Sequence, residues 1–151
     1  MITEKEIHHM LGVARRCYQL AKENNYSEEI CRDCFVMGFL SNIGREFTDS
    51  NVNHAQVSAE ILEHMYGSFE NIIDSIAHHS DCSYLKENSS LRLQLLNQAI
   101  MTTNSDGEII SVQERLNEIK DKYGMVSPEY SNAMMLVENQ AINDDIKELV
   151  V

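Results

Sequence analysis

The scarcity of helix-breaking residues constrains the fold of this chain more than any other feature. Its 151 residues include one proline and six glycines, and most of the glycines stand where a periodic segment ends. No stretch alternates apolar and polar residues for more than a few positions, as a half-buried strand would. The sequence therefore predicts an all-α protein, a single domain over residues 1–151 built as a bundle of about seven helices.

Capping signals place the helix boundaries. Thr3 with Glu6 forms one capping box and Ser111 with Glu114 forms another. Ser127 precedes the only proline, which suits an N-cap followed by a proline in the first helical position. We expect helices at about residues 4–23, 28–43, 54–66, 69–79, 91–103, 112–123 and 128–150.

The last predicted helix, about residues 128–150, carries an apolar stripe with a small slip in register. Its members are Tyr130, Met134, Val137, Ala141, Ile142, Ile146 and Leu149. Such a stripe usually packs on the helix's own domain. The alternatives are that it joins two copies of the chain as a homo-oligomer, or that it docks a protein partner in a helical interaction module.

The charge balance excludes two classes of partner. Twelve Lys and Arg residues stand against 24 Asp and Glu, a formal net charge of −12. Nucleic-acid binding needs clustered basic side chains, and none occur, so neither nucleic acid nor an anionic membrane is expected as a partner. The chain also lacks a run of about 18 apolar residues and an apolar signal segment. We therefore expect a cytoplasmic protein.

The four cysteines are expected to be structural. Cys31 and Cys34 form a C-x-x-C pair, whereas Cys17 and Cys82 are isolated. A zinc site needs a second pair at similar spacing, and a thioredoxin-like site needs a preceding strand. The pair lies in a helical pattern, so we expect buried or half-buried free thiols that act as small hydrophobes.

The histidines are the side chains best suited to bind a metal or to take part in catalysis. There are six, at positions 8, 9, 54, 64, 78 and 79. Four of them fall at predicted helix ends or first turns, where side chains from several helices can converge on a metal. Taken singly, each is more simply explained as a surface residue or a hydrogen-bonded core residue.

Seven short segments follow one another in a distinctive order. They are HMLGVA at 9–14, LSNIGR at 40–45, HAQVSAEIL at 54–62, IAHHS at 76–80, LLNQAIMTT at 95–103, DGE at 106–108 and ERL at 114–116. Their succession resembles the HD-domain superfamily of metal-dependent phosphohydrolases, in its small single-domain bacterial type. Members of that family are helical bundles that hold one or two divalent metals. By position, the resemblance implies metal ligands at His9, His54, His78 and His79, and a cation at Arg45 in place of the family's lysine.

Three expected ligands are replaced in this chain. Ser41-Asn42 stands where the family has an adjacent His-Asp pair, and Ile100 stands where it has a final Asp. A carboxylate carries charge and can bridge two metals, whereas an amide offers one neutral oxygen, serine is a poor ligand and isoleucine is none. The loss of all three predicts that the usual phosphohydrolase chemistry is absent.

Two functions therefore stay open beside the interaction module. The first is a degenerate HD-domain protein that binds a small phosphate-containing anion through Asn42, Arg45 and Thr103, although Thr103 is also explained by capping its own helix. The second is an active phosphohydrolase with a remodelled site. There Asp74, four residues before His78 on one helical face, supplies a carboxylate, and imidazole ligands favour Zn²⁺, Ni²⁺ or Cu²⁺. Asp74 is more simply explained as a solvated acid in the first half of its helix.

Overall fold

A computed structural model describes residues 2–41, 57–60, 76–77, 79 and 91–140 of the chain. Of these residues 77% are helical and none belongs to a strand; the one β-type contact is an isolated bridge between Thr103 and Ile109. The predicted all-α class is therefore confirmed. The described residues contain six helices, against about seven predicted for the whole chain. The predicted helix at about 69–79 lies almost entirely outside them.

The helices are numbered here in chain order. Their bounds are α1 Glu4–Glu23, α2 Glu28–Leu40, α3 at residues 57–60, α4 Leu91–Met101, α5 Val112–Tyr123 and α6 Pro128–Gln140. No helix among the described residues is long and apolar enough to cross a membrane.

Four helices begin where the sequence predicts, each directly after an N-cap residue. Thr3 accepts a hydrogen bond from the backbone N–H of Glu6, and the Glu6 carboxylate accepts one from the backbone N–H of Thr3 at 2.6 Å. Ser27, Ser111 and Ser127 each accept a hydrogen bond from a backbone N–H three residues later, at 3.1–3.3 Å. Each bond satisfies a donor that the first helical turn leaves unpaired, which is why these local signals fix the starts.

Helix α4 lies between two groups of buried apolar side chains. Leu95, Leu96 and Ala99 pack in one group with side chains of α1 and α2. Leu93 and Met101 pack in the other with side chains of α5 and α6. Because both sides of α4 are covered, almost every residue from Leu93 to Met101 is buried.

The turn after α4 packs directly on α1. A Cβ atom on Gly12 would lie 2.3 Å from the carbonyl oxygen of Gly107, and a Cβ on Gly107 would lie 2.1 Å from that of His8. Gly107 also has a φ of +86°, which favours glycine. Glycine at both positions therefore lets the turn approach the helix that carries His9.

The three described cysteines lie in the core, as the sequence predicts, and Cys82 lies outside the described residues. Cys17, Cys31 and Cys34 are free thiols with no exposed surface. Burial raises the pKa of the Cys17 thiol well above its usual value, and contact with Cys34 raises it further. These cysteines act as apolar packing groups between α1 and α2.

Helix α6 packs on the core through a face that shares Tyr130 and Val137 with the predicted stripe but not Met134. Ala133 and Leu136 are buried in the α4–α5–α6 group, and Tyr130 and Val137 pack against it. Met134, a predicted member of the stripe, keeps 36% of its surface exposed. The stripe residues beyond 140 lie outside the described residues, so association through this helix stays a prediction.

Candidate functional site

A cavity of about 430 Å³ lies where α1, α4 and α5 meet. The first half of α1 lines it with His9 and Met10, the end of α4 with Ile100, and the following turn with Ser105. His79 also lines it. A volume of this size lies within the range of small-molecule sites, about 300–1,000 Å³.

The cavity brings together three positions that the family resemblance singles out. His9, at the family's first histidine, and His79, at one of its paired histidines, line the same space. Ile100, at the position of the family's final Asp, lines it as well. The residues are far apart in sequence, so only the packing of the helices joins them. An apolar side chain therefore faces the two imidazoles where the family has a carboxylate.

Each of these imidazoles is held by a backbone carbonyl. The Nδ1 atom of His9 lies 2.7 Å from the carbonyl oxygen of Asn104, and that of the buried His79 lies 2.5 Å from the carbonyl oxygen of Ile76. A carbonyl oxygen only accepts, so Nδ1 carries the proton in both rings. In the neutral ring the acceptor lone pair then belongs to Nε2, the tautomer that can bind a metal or accept a proton from a ligand.

Asn104 holds the turn that anchors His9. Its side-chain oxygen accepts hydrogen bonds from the backbone N–H groups of Asp106 and Glu108, at 2.9 and 2.8 Å. Its carbonyl oxygen accepts from Gly107 N at 3.0 Å as well as from His9. This is the turn that the Asn-Ser-Asp-Gly sequence predicts, and its hydrogen bonds fix the His9 ring in place.

The two carboxylates of the cavity wall are both engaged by neighbours. Glu118 accepts hydrogen bonds from the backbone and hydroxyl of Ser105, at 3.2 and 3.0 Å, and pairs with Arg115. Burial alone would raise the pKa of Glu118, but the bonds from Ser105 and the charge of Arg115 outweigh it and lower the pKa. Glu6 is bound to Thr3, chiefly to its backbone N–H, which lowers the pKa of Glu6.

Three cations share that wall with the two carboxylates. They are Lys5 from α1 and Arg115 and Lys122 from α5. Lys5 lies 3.7 Å from Asp106 in an exposed ion pair, which water screens. The ammonium of Lys122 lies 5.1 Å from the centre of the Tyr123 ring. The cavity lining is therefore locally cationic in a chain of net charge −12.

Among the described residues, Thr103 and Ser41 do not line this cavity. Thr103 is fully buried, and its hydroxyl donates to the carbonyl oxygen of Ala99 at 2.7 Å, as a helix-end cap would. Ser41 is also fully buried, with its hydroxyl 3.3 Å from the carbonyl oxygen of Gly38. The remaining predicted residues lie outside the described residues: Asn42, Arg45, His54, Asp74 and His78.

No metal-binding group of three or more His, Cys, Asp or Glu side chains occurs in the described part of the chain. His9 and His79 supply two nitrogens. A metal that activates water is usually held by three protein ligands with one open position. The described residues therefore supply two of the three ligands that such a metal needs, and the other predicted ligands, His54, Asp74 and His78, lie outside them.

Comparison of the chain with protein-family models, with curated proteins and with solved structures gives no match. The resemblance to the HD-domain superfamily therefore rests on the order of the sequence segments and stays a prediction.

The contribution of α5 to the site was missed in the sequence. Arg115, Glu118 and Lys122 lie three and four residues apart and therefore share one face of the helix. Charged residues at this spacing are also typical of a solvated helix face. Only the packing of α5 on α4 and on the turn distinguishes the two cases.

Proposed function

We propose that this chain is a degenerate HD-domain protein that binds a small phosphate-containing anion in the cavity between α1, α4 and α5. We further propose that it lacks the family's metal-dependent phosphohydrolase activity and serves as a binding or regulatory module. The observation that carries the proposal is a cavity that combines two imidazoles with three cations and an apolar Ile100.

Electrostatics favours an anionic ligand. The carboxylates of Glu6 and Glu118 are already bound to Thr3 and to Ser105 and Arg115. The ammonium of Lys5 is paired only with the exposed Asp106, and that of Lys122 lies over the Tyr123 ring and acts on Glu6 through its charge alone. They can therefore turn towards a phosphate at little cost, and Arg115 adds a guanidinium with planar donor geometry.

The rest of the wall favours a ligand that also has an apolar part. Met10, Ile100, Ile119 and Tyr123 line the cavity. Small-molecule sites typically combine such apolar walls with a few polar groups that fix orientation. Inorganic phosphate alone would leave this surface uncovered, so an organic phosphate is expected to bind more tightly.

The proposal is tested by calorimetric titration with a panel of nucleoside and sugar phosphates, using two lysine variants of α5. Lys122→Met removes a cation of the cavity, whereas Lys120→Met removes one that does not line it. We expect Lys122→Met to weaken binding about tenfold, the effect of about 1.4 kcal/mol, and Lys120→Met to leave it unchanged. Equal affinities of the two variants for the best ligand would contradict the proposal.

The second candidate function is a phosphohydrolase with a remodelled metal site. It is favoured by the Nδ1 bonds of His9 and His79, which leave each ring in a metal-binding tautomer. Protein loaded with Zn²⁺, Ni²⁺ or Mn²⁺ should then hydrolyse a phosphomonoester, and His9→Gln should abolish this. Hydrolysis that disappears in the variant would replace our proposal with this function.

A further inference from the structure

Arg16 is a buried cation without a carboxylate partner among the described residues. Its side chain lies between α1 and α4, and the residue is only 4% exposed. Nε donates to Thr102 Oγ1 at 3.1 Å, and one terminal nitrogen donates to Gln19 Oε1 at 3.4 Å. Burial lowers the pKa of Arg16. The charge of Glu23 offsets part of that effect without a direct ion pair. Because a buried charge is costly unless it is paired, a guanidinium whose hydrogen bonds all go to neutral groups favours a bound anion.

The neutral partners of Arg16 cannot supply that anion. The Thr102 hydroxyl donates its proton to the carbonyl oxygen of Gln98 at 2.8 Å and serves Arg16 as an acceptor. Gln19 donates in turn to the carboxylate of Glu23 at 2.9 Å. The amide of Gln19 therefore stands between Glu23 and the guanidinium, and Glu23 acts on Arg16 only through its charge. Three of the five guanidinium N–H groups have no protein acceptor in the described residues.

A second buried donor lies on the same face of α4. Gln98 is one helical turn before Thr102, and 9% of its surface is exposed. Its side-chain Nε2 is buried and has no hydrogen-bond partner in the described part of the chain. Buried amide donors are normally satisfied. Because Gln98 and Thr102 lie one turn apart and Thr102 bonds Arg16, both donors belong to the side of α4 that faces α1.

We propose that Arg16 and Gln98 form a second ligand site, which takes a small oxyanion such as phosphate or a carboxylate. The site is separate from the cavity, since neither residue lines it. Arg16 is seven residues beyond His9 on α1, about 10 Å along the helix axis. The anion accepts hydrogen bonds from the terminal guanidinium nitrogens and the Gln98 amide, and it neutralises the buried charge. It would link α1 to α4 and so couple anion concentration to stability.

The test is urea unfolding of the whole chain in increasing inorganic phosphate, with a parallel acetate series, at constant ionic strength. A bound anion raises the folding equilibrium constant about elevenfold at ten times its dissociation constant. We expect Arg16→Met to abolish this saturable rise and Lys122→Met, in the cavity, to retain it. A rise confined to the phosphate series assigns the site to phosphate, and one in both series assigns it to oxyanions generally.

This experiment distinguishes binding in the cavity from binding at the second site. A rise that persists in Arg16→Met and is lost in Lys122→Met belongs to the cavity and overturns the second site. The absence of any rise in either series also overturns the second site. Binding of organic phosphates in the cavity is tested separately, by the calorimetric titration. A local readout is the ¹⁵N resonance of the Gln98 side-chain amide, which should shift during the phosphate titration; an unchanged resonance contradicts its role.

Gln98→Glu provides a second test of the site if Arg16→Met does not fold. The variant has nearly the same shape but carries its own carboxylate beside Thr102. If Arg16 needs an anion, Gln98→Glu will be more stable than the wild type without phosphate and will no longer respond to it. A less stable variant that still responds to phosphate would overturn the site.

Discussion

The close approach of the turn at Gly107 to α1 gives the sharpest stability prediction. Alanine at this position meets two penalties. The φ of +86° is strained for an L-residue, which costs on the order of 1–3 kcal/mol. The added Cβ would lie 2.1 Å from the carbonyl oxygen of His8, so backbone must shift, at about a further 1–3 kcal/mol. We therefore expect Gly107→Ala to lower the free energy of unfolding by about 2–6 kcal/mol.

Gly124 supplies a matched control for the strain alone. It also has a positive φ, +97°, but no atom lies within 4 Å of the Cβ that alanine would add. Gly124→Ala should therefore cost on the order of 1–3 kcal/mol. Urea unfolding followed by circular dichroism measures both variants. Equal losses would refute the packing of the turn on α1. Because Gly107 N and His9 share the Asn104 carbonyl, Gly107→Ala should also weaken ligand binding in the cavity.

Three further predictions concern single contacts. Thr3→Ala removes the N-cap of α1 and should lower the free energy of unfolding by about 1 kcal/mol, measured in urea; Thr3→Ser should restore most of it. Glu118 has a lowered pKa in the folded state, so its contribution to stability is present above its unfolded pKa and is lost as pH falls through the folded value. Glu118→Gln should therefore lose less stability than the wild type between pH 6 and about pH 3; equal slopes would contradict this. The thiols of Cys17 and Cys34 should react with iodoacetamide only as fast as the protein opens, measured by peptide mass spectrometry, and fast labelling in the native state would contradict their burial.

Helix starts were predictable because the signals that set them are local. The capping residues Thr3, Ser27, Ser111 and Ser127 each act within one turn of their own helix. The buried face of α6 was not predictable to the residue. Two apolar neighbours, Ala133 and Met134, compete for the interior, and the packing of α6 against α4 and α5 selects the first.

Some features of the candidate site were also predictable from the sequence and others were not. The order of the segments pointed to His9 and Ile100, because a succession of motifs survives in the sequence. The tautomer of His9 could not be foreseen, since its partner Asn104 is 95 residues away. The buried guanidinium of Arg16 was equally hidden, because its position on α1 reads as one more basic residue in a helix. Tertiary contacts decide both.

The central claim is that the cavity binds an anion rather than a catalytic metal. Elemental analysis of untagged protein purified without chelators tests it most directly, because a histidine tag would add its own ligands. We expect a metal content near zero per chain. A content of about one or two metal atoms per chain, the number expected for the HD-domain family, would contradict it and would favour the remodelled hydrolase.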